Sequence, residues 1–373
     1  MTSKERITTA MRGGIPDRVP VTLGLSEIIP VQKFTDDYIE FYMKANIPLW
    51  KARVEIESDF FNSDSFLHLC PDASPHDPEC TRKITRETPE EMFYTETYHT
   101  SKGDLSADYY IAKKTPLSAV TPFVNDLEKD IPKVLEMLKH PETKKFDAMN
   151  AAYKEIGERA HAGYWLPTPI DWWGGLRGTQ EMVMDLMLYP EQMLDLFQEY
   201  TVYAKCLTED VLKNTSIDSV GLGGSTTSMS VISPDLHRKF SLPFGQIICE
   251  ATHRYGKPVL YHMCGKSREA LPITAEMGVD CFDALECAPT GNVDLSEVKK
   301  EFGGKVALRG NVNSIHVMMN GNASDVKTAV KNCMDAAKEG GGYILGVGDQ
   351  TPAGTPDENL HAFVEAGLEF GKY

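Results

Sequence analysis

From about residue 160 to the end, short apolar runs alternate with longer segments of helical punctuation, and no other feature restricts the fold as much. The runs are Gly163 to Pro167, Ile217 to Leu222, Pro258 to Met263, Val279 to Leu285, Lys305 to Gly310 and Tyr343 to Val347. Each is short, rich in Val, Ile, Leu or aromatics, and bounded by Gly or Pro, as buried strands are. Ser233-Pro234 offers an N-cap with Pro at the first helical position, and apolar spacing of three and four predicts a helix from there to about Tyr255. Ser324-Asp325 opens another helix, which Gly340 to Gly342 stops. Strand and helix in succession imply parallel pairing through right-handed crossovers. Val19 to Leu23, with one or two strands near residues 55 to 66, bring the count close to eight. A single (β/α)8 TIM barrel with an N-terminal extension is expected, with an open doubly wound sheet as the alternative.

The segment from about Arg82 to Lys114 breaks this rhythm. Its alternation, as in Met92-Phe93-Tyr94-Thr95, and a turn at Lys102-Gly103-Asp104 predict an antiparallel β-hairpin inserted at about 82–114. No repeat, low-complexity tract or linker divides the chain, so residues 1–373 read as one domain. Charge narrows the function. With 38 Lys plus Arg against 54 Asp plus Glu, the formal net charge is −16. Nucleic-acid binding needs a basic footprint, and no dense Lys/Arg run supplies one. No apolar run nears the ~20 residues of a bilayer span. The opening MTSKERITTAMRGG lacks the apolar core and cleavage site of a signal peptide, so a cytoplasmic location is expected. The cysteines at 70, 80, 206, 249, 264, 281, 287 and 333 form no CxxC pair and read mostly as small buried residues. GxGxxG after a strand, GxxxxGKS or GxxxxGKT, HExxH and GxSxG are all missing, which removes the sequence-readable dinucleotide enzymes, P-loop NTPases, zincins and α/β-hydrolases.

Chemistry concentrates in Tyr261-His262-Met263-Cys264-Gly265, at the C-terminal end of a strand. Residues two apart on a strand share a face, so His262 and Cys264 can approach one ion together. Imidazole nitrogen with thiolate is a zinc preference, and catalytic zinc keeps three protein ligands and an open position. HxC alone is also what a packed thiol beside a hydrogen-bonded histidine gives. Asp349, in Gly346-Val347-Gly348-Asp349-Gln350-Thr351-Pro352, falls just past the last strand on the same barrel face and is the candidate third ligand; a turn or helix cap is its other reading. Glu286, at another strand end, is the fourth candidate, against a solvated loop carboxylate.

Lys4-Glu5-Arg6 followed by Pro16-Asp17-Arg18-Val19-Pro20, then Ser233-Pro234 through Leu242-Pro243-Phe244, His262-Met263-Cys264-Gly265, Gly310-Asn311 and Thr355-Pro356-Asp357-Glu358-Asn359 stand in an order and spacing that resemble the uroporphyrinogen decarboxylase superfamily. The match runs nearly end to end and is densest after residue 230. The resemblance implies a (β/α)8 barrel with its site at the C-terminal mouth. True uroporphyrinogen decarboxylases use no metal and grip a porphyrinogen with N-terminal arginines, whereas Val21 to Ser26 here carry no arginine cluster. The HxCG element is similar instead to the cobalamin-dependent methyltransferase branch, whose His and Cys bind zinc. In that branch a Cys six residues before the Thr-Pro motif is usually the third ligand. The same count back from Thr355 reaches Asp349, so the implied zinc set is His262, Cys264 and Asp349. A carboxylate makes the site harder, suited to activating oxygen rather than sulfur.

The resemblance thus implies an O-demethylase component: a zinc methyltransferase moving methyl from a methoxylated aromatic to Co(I) of cobalamin. A DxHxxG corrinoid signature is missing, since Asp235-Leu236-His237-Arg238-Lys239-Phe240 ends in Phe. Cobalamin is therefore expected on a separate corrinoid protein docked at the barrel mouth; a homodimer is compatible with this. Trp165, Trp172 and Trp173 are expected to line a flat substrate pocket, or else to fill the barrel wall, and Asn311 joins them as a substrate-binding candidate. Asp171 and Glu286 are the catalytic candidates, to hold a neighbouring phenol hydroxyl or supply the product's proton; for Asp171, capping the next helix is the other reading. Three alternatives stay open: a methylcobalamin:thiol methyltransferase, a uroporphyrinogen-type decarboxylase, and a non-catalytic corrinoid or tetrapyrrole carrier.

Overall fold

The computed structural model describes residues 1–71, 79–139 and 145–373. In chain order, β1 (Ser65–Leu69) opens the main sheet and β2 (Glu79–Glu87), β3 (Glu91–Thr100), β4 (Gly103–Ala112) and β5 (Thr115–Ala119) make a second. The strands β6 (Ala160–Leu166), β7 (Val220–Gly223), β8 (Val259–Met263), β9 (Cys281–Ala284), β10 (Ala307–Val312) and β11 (Tyr343–Val347) complete the first. The main sheet is parallel, in the order β1-β6-β7-β8-β9-β10-β11. The stretch from Val19 to Leu25 joins its two edges. Val21 bridges Leu345 of β11 and Thr22 bridges Asp64 just before β1, both in parallel sense. Thr22 N donates to Leu345 O at 2.9 Å and Asp64 N to Val21 O at 2.8 Å. This eighth stave closes a (β/α)8 barrel and sets aside the open sheet. Only one strand forms near residues 55 to 66; Glu55–Phe60 is helical.

Side chains along the staves alternate between two surroundings. Leu67, Tyr164, Leu222, Tyr261, Phe282, Leu308 and Leu345 pack outward with the surrounding helices in one apolar cluster. Phe66, Leu260, Cys281, Ala307 and Ile344 point the other way and meet Ile7, Ala10 and Met11 of the helix Ser3–Met11, which plugs the barrel floor. Burial on both faces is why these strands read as continuous apolar runs. The Lys4-Glu5-Arg6 and Pro16-to-Pro20 elements fasten this floor. Arg6 and Arg18 each donate to Asp64 at 2.6 Å, and Asp64 also accepts from Val21 N at 2.8 Å. Arg6 further binds Asp17 at 2.6 Å. Both arginines are spent on the fold.

Three local expectations change. The inserted hairpin is a four-stranded antiparallel sheet from Glu79 to Ala119, in which β3 and β4 form the expected hairpin. The apolar positions of β3 and β4 serve two clusters: Met92, Tyr94 and Ile111 pack on Val31, Tyr38 and Phe41, while Leu105 and Ala107 pack toward Val134 and Trp173; β2 and β5 are almost wholly exposed. The helix from Ser233-Pro234 to about Tyr255 is two, Pro234–Phe240 and Leu242–His253. Pro243 lacks an N–H and would crowd the carbonyl of Lys239, so the chain breaks at Ser241. The helix expected at Ser324-Asp325 opens instead on Asn322, which forms a capping box with Asp325. Cys249, Cys281 and Cys333 are buried as expected, but Cys70, Cys80 and Cys206 are exposed. No helix among the described residues is long and apolar enough to cross a membrane.

A candidate metal centre at the C-terminal mouth of the barrel

One step above the floor, the inward positions turn polar. Leu260 is followed two residues on by His262, Cys281 by Asp283, Ala307 by Arg309 and Phe66 by His68. His262 stands near the end of β8, Cys264 just beyond it, and Asp349 just past β11. One ligand atom from each of these three lies within 4.8 Å of the others. His262 Nε2 is 3.5 Å from Asp349 Oδ1. Glu286 is outside this cluster. Its Oε1 accepts from Gly265 N at 2.6 Å, so it braces the turn that carries Cys264.

The other face of His262 is tied down. Its Nδ1 donates to Asp283 Oδ2 at 2.7 Å, and the second oxygen of Asp283 accepts from Arg309 Nη1. Arg309 Nε donates to Thr22 Oγ1 at 3.2 Å, and Thr22 Oγ1 to Leu345 O at 2.9 Å. A line of side chains thus runs from β8 through β9 and β10 to the closing stave. Burial works against charge on His262, but Asp283 and Cys264 outweigh it and hold its pKa well above the usual imidazole range. Burial likewise opposes the Asp283 carboxylate, and Arg309 and His262 overcome it, so that pKa falls. Asp349 goes the other way: burial raises its pKa against the pull of His262, and the nearby carboxylates Glu286 and Asp283 add to the rise. Asp349 is half-buried, and its neighbours are the carboxylates of Glu286 and Asp283 on one side and His262 on the other. One nitrogen, one sulfur and one oxygen converging there fit a zinc ion, which takes these donors in tetrahedral sites with one position left open.

Beside the three donors lies a cavity of about 550 Å³, lined among others by Phe66, His68, Trp165, Arg309 and Gln350. Its aromatic wall is continuous. Phe66 meets His68 edge-on at 5.0 Å, His68 meets Trp165 at 4.7 Å, and Trp165 meets His262 at 6.0 Å. Burial depresses the His68 pKa to about 3, so this ring is neutral. Arg53, on the same wall, pairs with the buried Glu57 at 3.0 Å.

Of the residues predicted for substrate, only Trp165 lines the cavity. Trp173 is fully buried and donates through Nε1 to Asp185 at 2.9 Å, while Trp172 stacks on Tyr200 at 4.4 Å. Both fill the packing outside the staves, the alternative reading of the cluster. Asn311 donates to Leu285 O and accepts from Cys333 of an outer helix, away from the cavity. Asp171 accepts from Thr168 Oγ1 at 2.6 Å and from Thr226 N at 3.1 Å, bolting the loop after β7 to the helix that Thr168 caps. Sequence reading missed Asp283, Arg309 and His68. The signal was present, since an ionisable residue within an apolar strand needs a buried partner, and Arg309 and Asp283 are each other's.

The structure of a methyltransferase from Methanosarcina mazei superposes with a TM-score of 0.65, covering 99% of both chains at 18% identity, which establishes the shared fold. Methylcobamide:CoM methyltransferase MtbA of Methanosarcina mazei is 26% identical over 204 residues, 53% of this chain and 52% of that protein. Methylated-thiol–coenzyme M methyltransferase of the same organism is 28% identical over 148 residues, 40% of this chain and 37% of that one. The chain spans about half the length, or less, of these curated relatives. Residues 121–370 match the uroporphyrinogen decarboxylase (URO-D) family, and the chain belongs to it.

Proposed function

We propose that this chain is a zinc-dependent methyltransferase that moves a methyl group from a methoxylated aromatic to Co(I) of a corrinoid held by a separate protein. The observation that carries this reading is the convergence of His262, Cys264 and Asp349 within 4.8 Å, beside an aromatic-walled cavity. These three residues would hold the zinc. When bound, zinc supplies Lewis acidity toward the donor's leaving group. The rest falls to the chain. Phe66, His68 and Trp165, set edge to face, give an aromatic wall against which a ring can pack away from water, which keeps the methyl carbon in one orientation for in-line attack. Glu286 keeps the Cys264 turn in place through Gly265, and its carboxyl would be the group that takes a phenol hydroxyl or gives up the product's proton. Asp171 supports the cavity at one remove, through the Thr226 loop. Thiolate and carboxylate together balance a divalent ion, so the centre suits an uncharged donor such as an aryl ether.

The named activities of the relatives favour a second reading, methyl transfer from methylcobalamin to a thiol. Asp349, an oxygen donor, is what leads us to prefer the ether. Metal analysis and a transfer screen separate the readings. Purified protein is expected to carry close to one zinc per chain and to methylate Co(I) cobalamin from methoxybenzenes. Turnover with thiols alone would replace the donor assignment, and turnover indifferent to chelator would remove zinc.

A further inference from the structure

Asp283 and Arg309 touch none of the atoms that would hold zinc, yet they are buried together directly behind His262. We infer that they are positioning residues, which fix the tautomer of His262 so that Nε2 is the nitrogen offered to metal. This rests on the zinc reading above. The geometry is directional. Arg309 can only donate, so it claims one oxygen of Asp283 and leaves the other to accept the Nδ1 proton of His262 at 2.7 Å. With one proton held at Nδ1, the proton that metal displaces is the one on Nε2, so the lone pair offered is on the nitrogen that faces Asp349 at 3.5 Å. Thr22 and the Phe66 ring keep the guanidinium in place: Nε bonds Thr22 Oγ1 at 3.2 Å and the cation stands 5.4 Å above the ring centroid.

The same directionality makes a sharp test in the full-length protein. In Asp283→Asn the single amide oxygen must still serve Arg309, so the amide NH2 is turned toward His262 Nδ1. Nδ1 then has to accept, the proton moves to Nε2, and the ligand is lost. Zinc affinity, read by competition with a chromophoric chelator, should fall about 10- to 100-fold. Arg309→Met added to Asp283→Asn frees the amide to rotate, so the double variant should hold zinc more tightly than Asp283→Asn alone. A merely structural role predicts the opposite, because a second buried defect would add to the first. Nitrogen-15 spectra of the zinc-loaded wild type give a check that needs no variant: the proton of His262 should sit on Nδ1. Unchanged affinity in Asp283→Asn, a double variant weaker than the single, or a proton on Nε2 would each overturn the positioning role. A wild-type protein that holds no zinc would overturn the metal reading itself, and this inference with it.

Discussion

Replacing Gly221 by alanine tests the aromatic wall. Gly221 lies on β7, and a Cβ built there would stand 2.6 Å from Trp165 Cε3, 2.9 Å from Cζ3 and 3.0 Å from His68 Nε2. Contacts that short do not persist, so either the strand or the ring must move. β7 is held from both sides, with Gly221 in register with Trp165 on β6 and with Leu260 on β8, whereas the indole borders open cavity. The ring should yield and swing into the space meant for substrate. Overpacking costs ~1–3 kcal/mol, and a ring with room to move belongs near the lower end. At an unfolding entropy of roughly 2 cal/mol/K per residue, each kcal/mol in a 373-residue chain is worth ~1.3 °C in Tm. The melting temperature should therefore drop by only ~1–2 °C, with altered near-UV circular dichroism and, for a ring-bearing donor, KM raised about tenfold. Gly175→Ala is the control: its Cβ meets nothing within 4 Å, on the helix Pro169–Arg177, and should stabilise by ~0.5–1 kcal/mol. A Gly221→Ala protein with wild-type near-UV dichroism and wild-type KM would refute the reasoning. A loss beyond ~4 °C would show that the strand gave way instead.

Further outcomes follow from the same geometry. His262→Ala should keep its far-UV spectrum and lose its zinc; a variant that retains near-stoichiometric metal by elemental analysis would exclude the site. Asp64→Ala removes the acceptor shared by Arg6 and Arg18 and should cost ~3–5 kcal/mol in urea unfolding, because two guanidinium groups at the barrel floor lose a buried partner. His237 is fully buried, has no hydrogen-bond partner at Nδ1 among the described residues, and burial lowers its pKa to about 4. A folded-state pKa below the unfolded ~6.5 means stability present above pH 6.5 that is lost as pH falls toward 4. Between pH 6.5 and 5 the wild type should lose roughly 1.5 kcal/mol relative to His237→Gln; parallel stability curves would contradict this.

How much of this was legible in the sequence follows from which forces act locally. Strands buried on both faces announce themselves as apolar runs, so six staves of the barrel could be read directly, and the HxC spacing put His262 and Cys264 on one face. Asp349 was reached from its place just past the last strand and again by a count back from the Thr-Pro element, but which carboxylate completes the cluster depends on pairing across the barrel, which leaves no local pattern. The tryptophans show the limit. Trp165 and Trp173 lie close in sequence and both are large and aromatic, yet one sits on an inward strand position and the other in a helix whose apolar side packs on Met182 and Phe197. Adjacency in sequence said nothing about facing. Asp283 and Arg309 were overlooked for the opposite reason: each was read as part of a strand, and their partnership spans 26 residues.

The formal charge of −16 belongs to the surface and not to the site. Inside the barrel the charges come in pairs, Arg309 with Asp283 and Arg53 with Glu57, each closed by hydrogen bonds to backbone or hydroxyl. Around His262 stand the thiol of Cys264, the carboxyl of Asp349 at 3.5 Å and, braced against Gly265 N, the carboxyl of Glu286. In the proposed reading a divalent ion held by His262, Cys264 and Asp349 would be partly shielded from salt by the barrel walls. The acidic exterior is not shielded, since surface charges separated by more than ~10 Å are largely screened at 0.1 M salt. Added salt should therefore change the rate of encounter with the proposed corrinoid protein more than it changes zinc affinity; equal sensitivity of transfer rate and metal content to ionic strength would contradict this.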